Sequence, residues 1–107
     1  MTTFDKREGA FENKFAHDAE LQFKAEARRN KLFGLWAAGL LGKTGAAASA
    51  YASEVIAADL DKGGDANVFA KVRRDFAAAG VSQSDHQLRR TMDDLMLTAI
   101  EQIRNEG

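Results

Sequence analysis

The chain has 107 residues, no proline, no cysteine and a formal net charge of −1. That length supports one domain with a single modest core. It excludes disulfides and thiolate metal sites, and the near-zero charge gives no bulk attraction for nucleic acid or an anionic membrane. Alanine is abundant, β-branched residues are few, and Leu, Glu, Lys, Arg and Gln fill most other places, which is a helical composition. The opening MTTFDKREG is charged throughout and holds no apolar stretch, so no secretory signal is predicted. The longest apolar run, Leu32 to Gly42, is too short to span a bilayer and is followed by Lys43. The expectation is a soluble cytoplasmic protein that does not insert into the membrane.

A first helix is predicted from Thr2 or Thr3, either of which can cap it, to about Leu41. Asp5 and Glu8 suit the positive end of its dipole. Phe4, Phe11 and Phe15 are spaced i, i+7, i+11 and share one face. Phe33, Trp36 and Leu40 continue that stripe beyond a polar middle from Gln22 to Lys31. Gly9 weakens the first part by roughly 1 kcal/mol relative to alanine, so this part is expected to order only when bound. Gly42 and Gly45 end the helix.

A second helix is predicted over Ala46 to Lys62, with Tyr51 and Val55 on one row and Ala48, Ala52, Ile56 and Leu60 on another. Gly63 and Gly64 close it, and Asp65 is a ready cap for the third helix, Ala66 to Ala79. Val68 or Phe69, Val72 and Phe76 form the buried stripe of that helix, with Lys71, Arg73, Arg74 and Asp75 facing out. Gly80 stops it. Ser84 with Gln87 three residues later matches a capping box for a fourth helix. Leu88, Met92, Leu95, Ala99 and Ile103 form its apolar seam.

The pattern predicts an all-α four-helix bundle. Its natural core member is the second half of the first helix, with Leu32, Phe33, Leu35, Trp36, Leu40 and Leu41. Helices of 15 to 20 residues make a bundle roughly 25 to 30 Å tall, and a first helix near 40 residues is about twice that. The expected division is an N-terminal segment, residues 1–19, projecting from or mobile beside a bundle, residues 20–107. The three phenylalanines either complete the core by folding back or serve a partner groove. The absence of Gly and Pro between Ala10 and Gly34 argues for the groove, because it leaves no turn chemistry.

No catalytic set emerges. The serines lack a histidine or aspartate in any triad pattern, Asp93-Asp94 reads as a charged helical face, and His17 and His86 lack companions at ligand spacing, so neither catalysis nor a metal is expected. His17 is nonetheless placed to tune binding with pH, since a free imidazole titrates near neutrality. The run Ala37 to Thr44 approximates a phosphate-binding loop, G-x-x-x-x-G-K-[ST], with alanine for the first glycine. It falls at a helix C-terminus, where the dipole repels phosphate, and reads better as a cap. The basic cluster Lys24, Arg28, Arg29 and Lys31 reads as a solvated face or as a phosphate site between helices.

The stretch KFAHDAELQFKAEARRNKLFGLWAAGLLGKTG, with Val68–Phe76 and Leu88–Ile103, resembles the zeta subunit, the ATPase inhibitor of alphaproteobacterial F-type ATP synthases. The resemblance covers nearly the whole chain. It departs at Gly9 and Gly39, where better helix formers are expected, and over Gly45–Ala48, which is less acidic. It implies a four-helix bundle with a mobile inhibitory N-terminus. That segment would insert as a helix into a catalytic interface of the ATP synthase head, next to the rotor, and block ATP hydrolysis. Phe4, Phe11 and Phe15 would anchor it, and Lys6, Arg7, Glu8, Glu12 and Lys14 would dock against a polar cleft. The expected partner is the head, with its alpha, beta and gamma subunits, at the inner face of the plasma membrane; the free protein is expected to be a monomer. The resemblance also implies adenine-nucleotide binding to the bundle. The alternative function is therefore a nucleotide-binding regulatory or sensor bundle. No cofactor is required. ATP or ADP would be a regulatory ligand, with Arg28, Arg29 and Lys43 as candidate contacts.

Overall fold

A computed structural model describes residues 18–59 and 64–106. It is all-α, with four helices in the described residues: α1 (Ala19–Leu40), α2 (Gly45–Asp59), α3 (Asp65–Ala79) and α4 (Asp85–Glu106). α1 is the hub. It packs along α2 and α4, while α3 leans mainly on α2 and touches α4 only lightly.

The expected continuous helix from residue 2 or 3 to 41 is interrupted at Asp18. Its backbone is extended (φ −104°, ψ 103°), and its carboxylate accepts from the Glu20 and Leu21 amides at 3.0 and 3.2 Å. Two of the orphan donors of a helix start are thereby satisfied, which makes Ala19 the first helical residue. The competing principle was local capping chemistry, which overrode an apolar period that runs straight through it. At the other end, Gly42 adopts φ +78°, Lys43 N–H reaches Ala38 O at 2.8 Å, and Gly42 N–H reaches Gly39 O at 3.1 Å. These two bonds make a Schellman stop, so the Gly-Lys-Thr run is a helix terminus. The capping box at Ser84 forms as expected: Ser84 N–H donates to Gln87 Oε1 at 2.8 Å and Gln87 N–H to Ser84 Oγ at 3.1 Å. Asp65 differs from its expected role. It is the first residue of α3, Gly64 caps the helix without a side-chain bond, and the Asp65 carboxylate reaches across to Arg29.

The main core joins Phe33, Ala37 and Ala38 of α1 to Tyr51 and Val55 of α2, Val68, Val72 and Phe76 of α3, and Leu88 and Met92 of α4. Trp36 stacks on Phe33 (centroids 5.6 Å apart, planes 14° apart) and tilts against Phe76 at 5.8 Å. Gly34 lets α1 and α2 approach closely: a Cβ there would lie 2.7 Å from Ala52 Cα. A second, smaller cluster holds Ala25 and Ile103, with Leu21, Met96 and Ile100 against it.

Three expectations about faces need correction. Leu35 and Leu40 are exposed rather than core, because Ala37, Ala38 and Gly34 take the close α2 contact and rotate them outward. The polar middle of α1 is a solvated face only in part: Lys24 and Lys31 are exposed, whereas Arg29 and Asn30 are buried. Lys71 and Asp75 do not point away. Both engage Tyr51, Asp75 by accepting from the phenol at 2.8 Å and Lys71 by lying 5.0 Å from the ring centre.

Candidate functional site

The predicted anchors and docking charges Phe4, Lys6, Arg7, Glu8, Phe11, Glu12, Lys14 and Phe15 lie outside the described residues, as does His17. What the structure describes is the surface that begins where that segment joins α1. Phe23, Lys24, Ala27, Arg28 and Lys31 recur at helical spacing along α1 and line one side of a cleft of about 320 Å³. Ile56 of α2 and Ile103 and Glu106 of α4 complete it. Phe23 is 65% exposed, although it is one of the bulkiest apolar residues of the chain. Arg28 is held at the edge. Its guanidinium donates to Gln102 Oε1 at 3.0 Å and pairs with Glu106 at 2.7 Å. The hydrogen bond from Arg28 holds the Glu106 carboxyl below its ordinary range.

Arg29 points the other way. Its side chain is 4% exposed and forms a double contact with Asp65, while Nε donates to Asn30 Oδ1 at 2.8 Å. Asn30 is fully buried, and its Nδ2 has no hydrogen-bond partner among the described residues. Glu26 lies beside this cluster. Burial pushes its carboxyl up, and the charges of Asp59 and Asp65 add to the shift against the pull of Arg29. The Arg29–Asp65 pair ties α1 to the start of α3.

Lys43 stands at a second cleft, of about 380 Å³, with Leu41, Tyr51, Glu54, Lys71 and Asp75. Its Nζ lies 6.0 Å from the Tyr51 ring centre. Burial and the hydrogen bond to Asp75 push the Tyr51 phenol well above its ordinary range. Burial pushes Asp75 up, but hydrogen bonds from Tyr51 and Lys71 and the charges of Lys71 and Arg74 outweigh it, leaving the carboxyl lowered. The three candidate nucleotide contacts are therefore not brought together. Arg28 lines one cleft, Lys43 lines the other, and Arg29 is buried on Asp65. Tyr51, Lys71 and Phe23 were missed as candidates. The i, i+4 pair Lys71–Asp75 was a weak signal, but nothing local announces that Tyr51 lies across from it.

Among the described residues, no group of three or more His, Cys, Asp or Glu side chains is placed to hold a metal ion, and no helix is long and apolar enough to cross a membrane. The sequence model of one family, described as ATPase inhibitor subunit zeta, matches residues 1–102. The chain belongs to the ATPase inhibitor subunit zeta family. No curated protein matches it. A solved solution NMR structure is 44% identical, with a TM-score of 0.71, over 81% of this chain and 99% of the other. Membership in the zeta family assigns an ATP synthase inhibitor role, with ATP synthase as the partner. Zeta subunits are inhibitors by kind rather than catalysts.

Proposed function

We propose that residues 1–19 are the inhibitory segment and that they stop ATP hydrolysis by inserting as a helix into a catalytic interface of the ATP synthase head, beside the rotor. The observation that carries this reading is that the zeta family match begins at residue 1 and so includes the amphipathic segment. Phe4, Phe11 and Phe15 bury in the partner, and Lys6, Arg7, Glu8, Glu12 and Lys14 meet its polar walls. Burial of the phenylalanines, roughly 1.5–3 kcal/mol each, is the apolar part of the free energy that offsets the cost of ordering the segment. The Asp18 cap supports the division of labour, because it separates the segment from the packed helix that follows. The bundle is the handle, monomeric when free and carried to the inner face of the plasma membrane by its partner.

Deletion of residues 1–15 tests this. The truncated chain should keep its helical circular dichroism and lose inhibition of an inhibitor-depleted ATP synthase head. Full inhibition by the truncated chain would overturn the insertion mechanism.

The Tyr51 cleft favours a second reading, in which ATP or ADP binds the bundle as a regulatory ligand. Lys43 and Lys71 both lie over the Tyr51 ring, which offers cations for a phosphate beside an aromatic side chain. Arg28 and Arg29 are engaged elsewhere. Amide shifts on titration with ADP should centre on Tyr51 and Lys71; shifts centred on Arg28 would relocate the site.

A further inference from the structure

The cleft at the start of α1 joins an apolar floor to a basic rim. Its floor is apolar, from Phe23, Ala27, Ile56 and Ile103. Its rim carries three cations, Lys24, Arg28 and Lys31, against one carboxylate, Glu106. That local excess contrasts with a net charge of −1 for the whole chain. Arg28 is already engaged by Glu106 and Gln102, whereas Lys24 and Lys31 are exposed and form no ion pair among the described residues. Phe23 stands at the N-terminal end of this row, next to Lys24, and is 65% exposed. A lone exposed apolar residue is ordinary, but this one lines a cleft whose rim is basic, with Lys24 also in the field of Glu106.

We infer that this cleft is a second docking site for the ATP synthase head, and that it receives an amphipathic helix of the head with an apolar ridge and an acidic flank. The charge of the rim selects the acidic flank, and the floor selects the ridge. The stripe from Phe23 to Lys31 runs about 12 Å along α1, which matches two turns of a partner helix. Its position selects the head over other proteins. Phe23 lies five residues beyond Asp18, so whatever surface receives the preceding segment is adjacent. The inference rests on the reading of residues 1–19 as the inhibitory segment. The advantage is one of effective concentration, since a second contact turns entry of the segment into an intramolecular step.

Photo-crosslinking on the full chain separates the two readings. A benzophenone amino acid at position 11 reports on the inhibitory segment, and one at position 23 reports on the cleft. Both should crosslink to subunits of the head, and position 23 should do so through an acidic helix. Binding of Phe23→Ser and of the double variant Lys24→Glu/Lys31→Glu to the head should weaken about ten-fold or more, with inhibition at saturation unchanged. The charge variant should also lose part of the salt dependence of association. Wild-type affinity in both variants with unaltered melting temperatures would overturn the cleft while leaving the segment standing. A crosslink from position 23 to a second copy of this chain would overturn it too. Loss of the crosslink at position 11 alone would instead remove the insertion reading.

Discussion

The two halves of α1 obey different rules. From Phe33 to Leu40 one face of the helix is close-packed: Phe33, Ala37 and Ala38 are fully buried, and Gly34 lets α2 approach to within a side chain's width. From Leu21 to Asn30 it is held by polar links to two other helices, with Arg28 on Gln102 and Glu106 of α4 and Arg29 on Asp65 of α3. Phe23 and Phe33 are chemically identical and ten positions apart, yet one is 65% exposed and the other fully enclosed. The C-terminal half of α1 thus supplies most of the main core, while the N-terminal half is held by those polar links and the small Ala25–Ile103 cluster and leaves Phe23 exposed.

The largest test of that contrast is Phe33→Ala. It empties a filled core position and should cost about 3–5 kcal/mol in urea denaturation, whereas Phe23→Ala should stay within about 0.5 kcal/mol. Equal losses would erase the distinction between the halves. Asp65→Ala comes next, because it leaves the Arg29 guanidinium buried without its carboxylate. The full cost of orphaning a buried charge is about 3–5 kcal/mol, but Asp65 is half exposed, so roughly 1–3 kcal/mol is expected. A neutral result would mean that the polar links do not hold the N-terminal half.

The two glycines of α1 give opposite signs. Gly34→Ala gains helix propensity but drives a methyl into Ala52 Cα, for a net loss of about 1–2 kcal/mol, or roughly 4–16 °C in Tm. A methyl added at Gly39 would meet nothing within 4 Å, so Gly39→Ala should stabilise by about 0.5–1 kcal/mol. The smallest effect belongs to Glu26. Its carboxyl is raised from an ordinary 4.5, so the folded state holds the proton more tightly and stability declines as pH rises from 4.5 through the folded value. Glu26→Gln should therefore raise Tm at pH 7 and make no difference well below pH 4.5. A gain that persisted into acid would point to packing instead of charge.

Helix boundaries set by local chemistry were legible in the chain. Ser84 with Gln87, and Gly42 and Gly80 as left-handed stops, occur where their residue types require them. The seam of α4 was legible too, since Leu88, Met92, Ala99 and Ile103 are buried as their spacing implies. Asp18 was equally local but was hidden by the aromatic period running through it. The nucleotide candidates fared less well. Positive charge is visible in sequence, but a charge's partner across the bundle is not, and Arg28 and Arg29 turn out to be engaged by α4 and α3.

By itself the sequence determined the helical class, the stops between helices and the zeta resemblance, because composition, capping and long distinctive strings are properties of neighbours along the chain. Only the tertiary structure decided which residues face one another. It put small side chains at the α1–α2 crossing and so turned Leu35 and Leu40 outward, buried Arg29 against Asp65, and set Phe23 in a cleft beside Lys24 and Lys31. The reason is that close packing is settled by shape between distant segments, and a helical period specifies a stripe without specifying how far around the helix its partners will reach.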